Sequence, residues 1–190
     1  MPDFIRTEIQ DSIETKKRLL DTFVPLIEKA ANTCAEVIKR GNKILACGNG
    51  GSSTDAIHFC GEFAGRYEKD RKPLPAIALT ANQSDLTAIA NDYGYDEVFA
   101  RQVDALGNKG DILIAITTSG NSPNVLKAIE KAKQKGIEVI ALTGKKGGKT
   151  VEIKDIQNII VPSDVTARIQ ECHILILHLI AKSVEIHFLK

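Results

Sequence analysis

Two titratable side chains in the first half of the sequence are spaced for joint chemistry. His58 and Glu62 are four residues apart, so in a helix they share one face. An imidazole and a carboxylate arranged in this way can transfer protons or bind a divalent metal ion. His178, in an otherwise apolar stretch near the end of the chain, is a third candidate. Taken singly, the pair is typical of a solvated helix face and His178 of a core histidine, so the interpretation depends on the elements that position them.

The segment before His58 has the pattern of a strand, a glycine turn and a helix. Residues 43–47 form a short apolar run, and the glycines that follow are Gly48, Gly50 and Gly51. Such a turn presents backbone N–H groups and the positive end of a helix dipole to an anionic or polyhydroxy ligand. We expect the N-cap of the helix to come from Ser52, Ser53 or Thr54. The turn matches neither G-x-G-x-x-G nor the P-loop, so a purely structural turn remains the alternative.

A second polar loop follows another apolar run, residues 111–116. It carries four hydroxyl groups within six residues, at the predicted start of a helix with Pro123 in its first turn: Thr117, Thr118, Ser119 and Ser122. Together with the N–H groups of Gly120 and Asn121, these hydroxyls can hold a phosphate monoester without a lysine or arginine. An ordinary loop in which Ser122 caps the helix is the alternative.

Strands and helices alternate along most of the chain, which predicts a single α/β domain over residues 1–190 with an open parallel sheet covered on both faces. The five predicted strands are 43–47, 75–79, 111–116, 138–143 and 158–162. Parallel strands end at one edge, so the two polar loops share a crevice if their strands are neighbours. Residues 1–40 precede this core as helices, and Pro25 is expected to kink or break the first of them. The last helix, 166–188, is apolar on nearly all sides from 174 to 181, which indicates a subunit interface.

Composition excludes several classes of function. The 190 residues carry a formal net charge of +1, which offers no electrostatic basis for binding nucleic acid or an anionic membrane. No apolar run is long enough for a transmembrane helix, and the polar start, residues 1–8, does not resemble a signal peptide. The four cysteines are far apart and lie in apolar contexts, which favours reduced, buried thiols in a cytoplasmic protein over a tetrathiolate zinc site.

Six short segments stand in an order that resembles one family: residues 47–52, the His58/Glu62 pair, and residues 65–67, 90–94, 118–122 and 167–171. Together they resemble the sugar isomerase (SIS) superfamily and, within it, the phosphoheptose isomerases, over nearly the whole chain. The resemblance implies a flavodoxin-like, doubly wound, five-stranded sheet and a cytoplasmic homotetramer with one zinc ion per subunit. It also implies conversion of sedoheptulose 7-phosphate to D-glycero-D-manno-heptose 7-phosphate, the first step toward the heptose of lipopolysaccharide.

The same resemblance implies roles for individual residues. Glu62 and His178 would be the acid–base pair, and the metal ligands would be His58, Glu62, Gln170 and His178. Contacts to the sugar would come from Asn49, Gly50, Gly51, Ser52, Asn91, Asp92, Glu62 and Gln170, and contacts to the phosphate from Thr117, Thr118, Ser119 and Ser122. Arg66 would either bind substrate or pair with Glu62 or Glu68. The chain departs from the family at Thr117, where serine is usual, and at Ala167, where some members have aspartate; Asp164 could supply that missing contact.

Two other functions stay open at this point. One SIS relative binds the bacterial replication initiator without catalysis, and other members isomerise other sugar phosphates. The presence of both Glu62 and His178 favours an enzyme, since the initiator-binding relative does not keep the acidic residue and the histidine at these positions.

Overall fold

The five apolar runs predicted as strands pair into one parallel sheet in a computed structural model, which describes residues 2–189. The strands are β1 (Ile44–Gly48), β2 (Ala76–Ala78), β3 (Ile112–Ile116), β4 (Glu138–Thr143) and β5 (Gln157–Ile160). The helices are α1 (Pro2–Lys39), α2 (Gly51–Ala64), α3 (Gln83–Tyr93), α4 (Val98–Leu106), α5 (Pro123–Gln134) and α6 (Thr166–Phe188). The strand order β2-β1-β3-β4-β5 confirms the predicted flavodoxin-like fold. Met1 and Lys190, the ends of the predicted domain, lie outside the described residues.

β1 and β3 are neighbours in the sheet, and their last residues, Gly48 and Ile116, stand opposite each other. The glycine loop after β1 and the hydroxyl-rich loop after β3 therefore leave the same edge side by side. This confirms the condition under which the sequence predicted a shared crevice.

Alternate residues of the central strands face two separate hydrophobic cores. Ile44 and Ala46 of β1 face a layer formed by α1, α2 and α6, whereas Leu45 and Cys47 face a layer that includes α4 and α5. The strands are thus buried on both faces, as is usual for a parallel sheet.

The expectation that Pro25 breaks the N-terminal segment into two helices is wrong, because α1 is a single helix of 38 residues that contains this proline. A kink at Pro25, the other expected effect, stays a prediction. A proline inside a helix loses one hydrogen bond and costs about 3 kcal/mol. Here one face of α1 packs against α6 on both sides of the proline, with Leu19 before it and Ile27 after it buried in the core. This packing holds the helix together across the break in its hydrogen bonding.

The predicted N-cap of α2 is also wrong. The helix begins at Gly51 with Gly50 in the cap position, and Ser52, Ser53 and Thr54 lie inside its first turn. Gly50 has φ of 55°, a left-handed conformation that glycine adopts without strain. Its carbonyl accepts the N–H of Ser53, so the turn itself begins the helix without a side-chain cap.

The four cysteines are free and buried, as predicted. Burial raises the pKa of three of these thiols, those of Cys34, Cys47 and Cys60, to about 12. They are therefore protonated and unreactive at neutral pH. Within residues 2–189, no helix is long and apolar enough to cross a membrane.

His173, on the buried side of α6, is a core residue. Its ring nitrogen Nε2 lies 3.0 Å from the carbonyl oxygen of Thr143, so the N–H is on Nε2 in the neutral ring. Nδ1 is buried and has no hydrogen-bond partner. Burial lowers the pKa of His173 to about 4, against the partial opposition of the Thr143 hydrogen bond.

Acid should therefore destabilise the fold through His173. Because its folded pKa is depressed, the unfolded chain binds more protons between pH 6.5 and 4, so this stability is present above pH 6.5 and lost as the pH falls toward 4. The difference corresponds to about 3 kcal/mol. His173→Gln retains a donor for Thr143 but does not titrate. Its unfolding free energy, measured with denaturant, should depend less on pH than that of the wild type.

His187→Gln is the matched control, because His187 is only partly buried near the end of α6. This variant should keep the pH dependence of the wild type. An unchanged pH dependence in His173→Gln would show that the buried imidazole is not the titrating group.

Candidate active site

Helices α2 and α6 lie side by side and run in the same direction. Three contacts in sequence order establish this alignment. Gln170 lies against Gly51 at the start of α2, His178 lies against His58 farther along, and Glu185 contacts the loop that follows α2. The predicted acid–base and metal residues are thereby distributed along one groove between two helices.

The structure brings three of the predicted residues together: His58, Glu62 and His178. Nε2 of His58 lies 3.0 Å from Oε1 of Glu62 and 3.5 Å from Nε2 of His178. The two imidazole rings meet edge to face with centroids 4.9 Å apart. The Glu62 side chain is mostly buried, whereas His58 is about half exposed. The cluster is thus open to solvent on the His58 side and enclosed on the Glu62 side.

The donor atoms of this cluster fit a zinc ion. One ligand atom from each of the three residues lies within 4.8 Å of the others. Ligands at about 2.1 Å from a tetrahedral zinc ion lie roughly 3.4 Å apart, close to the separations found here. The two Nε2 atoms also face each other, an arrangement in which a shared cation satisfies both lone pairs.

Gln170, the fourth predicted ligand, lies at the other end of the groove. A Cβ atom on Gly51 would come within 2.6 Å of the Gln170 Nε2 atom, so only glycine leaves room for the amide there. Gly51 and His58 are seven residues apart, about 10 Å along the helix. For Gln170 to join the other three ligands, its amide would have to move away from Gly51.

A pair of side-chain amides joins the two polar loops. Asn49 of the glycine loop and Asn124 of α5 exchange two hydrogen bonds of 2.9 Å, and the Tyr95 hydroxyl donates a third to Asn49 at 3.1 Å. Asn124 is almost fully buried, so its amide needs these partners. The side chain of Asn49, a residue predicted to contact the sugar, is thus used to hold the loops together, and its backbone carbonyl accepts the N–H of Ser52 at 3.0 Å.

The hydroxyl-rich loop is closed by two of its own side chains. Thr117 and Ser122 share a hydrogen bond of 3.0 Å, so Ser122 occupies the N-cap position of α5 without making the expected cap bond. Gly120 has φ of 68° and packs so tightly on the Gly147 carbonyl that a Cβ would overlap it. Thr118 and Ser119 are left partly exposed at the mouth of the loop.

The remaining predicted residues lie on the surface around this edge. Asn91 and Asp92 are exposed in the last turn of α3, where the Asn91 amide donates to Asp92 at 2.8 Å. Arg66 is exposed, and the carboxylates considered as its partners pair elsewhere, Glu62 with His58 and Glu68 with Lys182. Ala167 and Asp164 are both exposed at the start of α6.

Four residues of this region were not predicted. Two are Asn124 and Tyr95, which hold the glycine loop. The third is Tyr67, whose ring centroid lies 5.8 Å from that of His178. The fourth is Asp55, one turn before His58, with a buried carboxylate oxygen that has no hydrogen-bond partner. Burial raises the pKa of Asp55, and the charges of His58 and His178 lower it in part. Only Asp55 had a local signal, since it shares the helical spacing of His58 and Glu62.

Comparison with known proteins assigns a family to this arrangement. Residues 9–144 match the SIS domain family. The chain is 51% identical over 186 residues to the phosphoheptose isomerase of Helicobacter pylori strain P12, covering 98% of this chain and 96% of that protein. It is 54% identical over 172 residues to that of Aliarcobacter butzleri, covering 90% of each. The solved structure of the phosphoheptose isomerase from Neisseria gonorrhoeae superposes with a TM-score of 0.92, at 42% identity, over 97% of this chain and 98% of that one.

We expect zinc affinity to separate the candidate ligands into two groups. His178→Ala should weaken zinc binding by about 100-fold or more, because it removes one of three converging donors. Gln170→Ala should weaken it by about tenfold or less, because an amide is a poor zinc ligand and this one lies apart from the cluster. Competition with a chromogenic chelator measures both affinities, and His187→Ala serves as the control. Equal losses in the two variants would contradict a site centred on three residues.

Replacing Asn124 should destabilise the junction between the loops. Asn124→Ala removes both hydrogen bonds of the amide pair and leaves the part-buried Asn49 amide without its main partner, which should cost about 1–3 kcal/mol in unfolding free energy. Asn124→Asp should cost at least as much, because a carboxylate cannot donate to Asn49. Denaturant unfolding measures the loss, and Asn32→Ala on the exposed face of α1 is the control. A loss in Asn124→Ala no larger than in the control would contradict the proposed junction.

Proposed function

The chain belongs to the phosphoheptose isomerases of the SIS domain family, and from this membership we propose that it interconverts D-sedoheptulose 7-phosphate and D-glycero-D-manno-heptose 7-phosphate. It is an aldose–ketose isomerase, and the product leads to the heptose of lipopolysaccharide. The observation that carries the proposal is the convergence of Glu62, His58 and His178 in a groove that begins at the two polar loops. The non-catalytic alternative, binding of the replication initiator, is not favoured, because the relatives that match nearly the whole chain are isomerases.

The reaction requires one proton to move between two carbons and another between two oxygens. We assign the first transfer to Glu62, which takes the proton from C1 of the ketose and returns it to C2 of the enediolate. His58, 3.0 Å away, orients the Glu62 carboxylate. We assign the transfer between O1 and O2 to His178, whose ring faces the same space. Both groups act on one edge of the sugar, which suits a single planar intermediate.

The hydroxyl-rich loop is the proposed phosphate site. Thr118 and Ser119 offer partly exposed hydroxyls, of which that of Ser119 also accepts the Asn121 N–H at 3.2 Å. Thr117 and Ser122 shape the loop, and the start of α5 contributes the positive end of its dipole. Asn49, Gly50, Gly51 and Ser52 would line the path of the sugar, with Asn91, Asp92, Arg66 and Gln170 as further contacts. Glu62 lies about three turns along α2 from Gly51, so the acid–base pair stands farther along the groove than the glycine loop.

We further propose that His58, Glu62 and His178 hold one zinc ion per subunit, with Gln170 as a weaker fourth ligand. When bound, the ion would polarise the substrate oxygens as a Lewis acid and stabilise the enediolate charge. The chemistry of the donor set supports zinc, since two imidazoles and a carboxylate are common ligands of this ion.

The proposed assembly is a homotetramer in the cytoplasm. The first half of α1 exposes large apolar side chains, with Phe4 at 63% and Leu20 at 67% exposure, and Leu179 of α6, 43% exposed, lies near Leu20. Apolar surface on this scale favours burial against other subunits. Four free thiols suit a reducing compartment.

Purified protein incubated with sedoheptulose 7-phosphate should produce the aldoheptose phosphate, with NMR following both sugars. Glu62→Gln should lower kcat by about 100- to 10,000-fold without unfolding the protein, because the amide cannot accept the carbon-bound proton. Removing zinc with a chelator should lower turnover, and adding zinc back should restore it. Glu68→Gln, an exposed carboxylate six residues away, is the control.

Near-normal turnover in Glu62→Gln would exclude it as the base. No conversion by the wild type, with or without zinc, would overturn the proposed reaction.

A further inference from the structure

A buried carboxylate organises the loop that follows α2. Glu185, on α6, is almost fully buried, and its two oxygens accept hydrogen bonds from three successive backbone N–H groups. The donors are Tyr67 at 3.1 Å, Glu68 at 3.0 Å and Lys69 at 3.0 Å. These bonds lower the pKa of Glu185, although its burial alone would raise it. A charged side chain inside the protein thus substitutes for the regular structure that this loop lacks.

A buried arginine donates hydrogen bonds to the backbone carbonyls at the end of α2, as Glu185 accepts them from the backbone N–H groups of the loop. The Arg71 side chain is 4% exposed, and its Nε lies 3.6 Å from Oε2 of Glu185. Its guanidinium donates to the carbonyl of Glu62 at 2.5 Å and to that of Phe63 at 3.0 Å. These carbonyls belong to the last turn of the helix, where no further N–H continues the pattern. The proposed base therefore has its own backbone held by Arg71.

The last turn of α2 needs such support because of its sequence. Gly61 precedes Glu62, and Gly65 ends the helix. Glycine is the least favourable helix residue after proline, and the space around Gly61 holds no atoms that would exclude a side chain. The turn that carries Glu62 is therefore intrinsically weak and depends on contacts made by Arg71.

The loop held by Glu185 also reaches the proposed site from the other side. Tyr67, whose N–H is bound by Glu185, places its ring 5.8 Å from that of His178. Arg66, a proposed substrate contact, is the residue immediately before it. One buried ion pair thus fixes the backbone of Glu62 and the aromatic neighbour of His178 together.

We propose that Arg71 and Glu185 form a positioning clamp for the acid–base pair, an inference that rests on the proposed function for its catalytic consequence. Neither residue contacts substrate. The Arg71–Glu185 clamp sets the position of Glu62 through its carbonyl and that of Tyr67 through its N–H, and so holds the two catalytic groups at a constant separation. The phosphate loop lies on other elements, and of the proposed substrate contacts only the exposed Arg66 adjoins the clamp, so we expect the clamp to act on turnover far more than on substrate capture.

The test compares two conservative variants with a matched control. Arg71→Lys keeps the charge but loses the forked donors, and Glu185→Gln keeps the size but presents an amide to backbone N–H groups. Each should lower kcat by about 10- to 100-fold, since a displacement of about 1 Å in a catalytic group is sufficient for this. KM should stay within about threefold of the wild type, as uniform binding is not affected. Lys182→Ala breaks the exposed ion pair to Glu68 in the same loop and should leave kcat unchanged.

Hydrogen exchange measured by mass spectrometry provides a readout independent of activity. In the wild type, the amides of residues 67–69 should exchange slowly for a loop, and in Glu185→Gln they should exchange at least about tenfold faster. Rapid exchange of these amides in the wild type would overturn the clamp even if neither variant folds. Wild-type kcat in a folded variant with fast-exchanging amides would overturn its positioning role. A wild type without isomerase activity would instead refute the proposed reaction, and the exchange data would still test the clamp.

Discussion

The lateral contact between α2 and α6 is the constraint on which the site depends. His58 and Glu62 come from one helix and His178 from the other, so any rotation or shift between the helices would separate the three donors. The contact is secured at both ends. Gln170 fits against Gly51 at the start, where a larger residue would displace the Gln170 amide, and Glu185 holds the loop beyond the far end. Between these points, apart from the His58–His178 contact, the packing is apolar, which gives cohesion without specifying a register.

Polar contacts between buried groups supply the register that apolar packing does not. The amide pair of Asn49 and Asn124 joins the two loops at the edge of the sheet, and the ion pair of Arg71 and Glu185 joins the ends of α2 and α6. Each group satisfies several partners at once, so a displaced element would leave buried donors and acceptors unpaired. Buried polar interactions, which are costly to leave unpaired, thus lie at the points that fix the geometry of the candidate site.

Features with a local signal in the sequence could be predicted, whereas features that depend on residues far apart in the chain could not. The strands and α6 were predicted well, since apolar runs and their boundaries are local. The parallel direction of the strands followed from the alternation of strands and helices. Pro25 was misjudged because the packing of α1 against α6 outweighs a local helix breaker. The start of α2 was misjudged because the sequence alone does not show which glycine of a loop adopts the left-handed conformation that begins the helix. Asn124 was overlooked because its partner, Asn49, is 75 residues away.

The packing of α1 on α6 has a consequence for the order of events during synthesis. The buried face of α1 is complete near residue 39, whereas its partner helix ends only at residue 188. At about 5–20 residues per second, the nascent chain carries an apolar helix without its partner for roughly 7 to 30 seconds. The core layer that contains both helices closes only after the last helix leaves the ribosome, and the three-donor cluster forms at the same moment. The proposed metal site therefore cannot assemble until α6 has been synthesised.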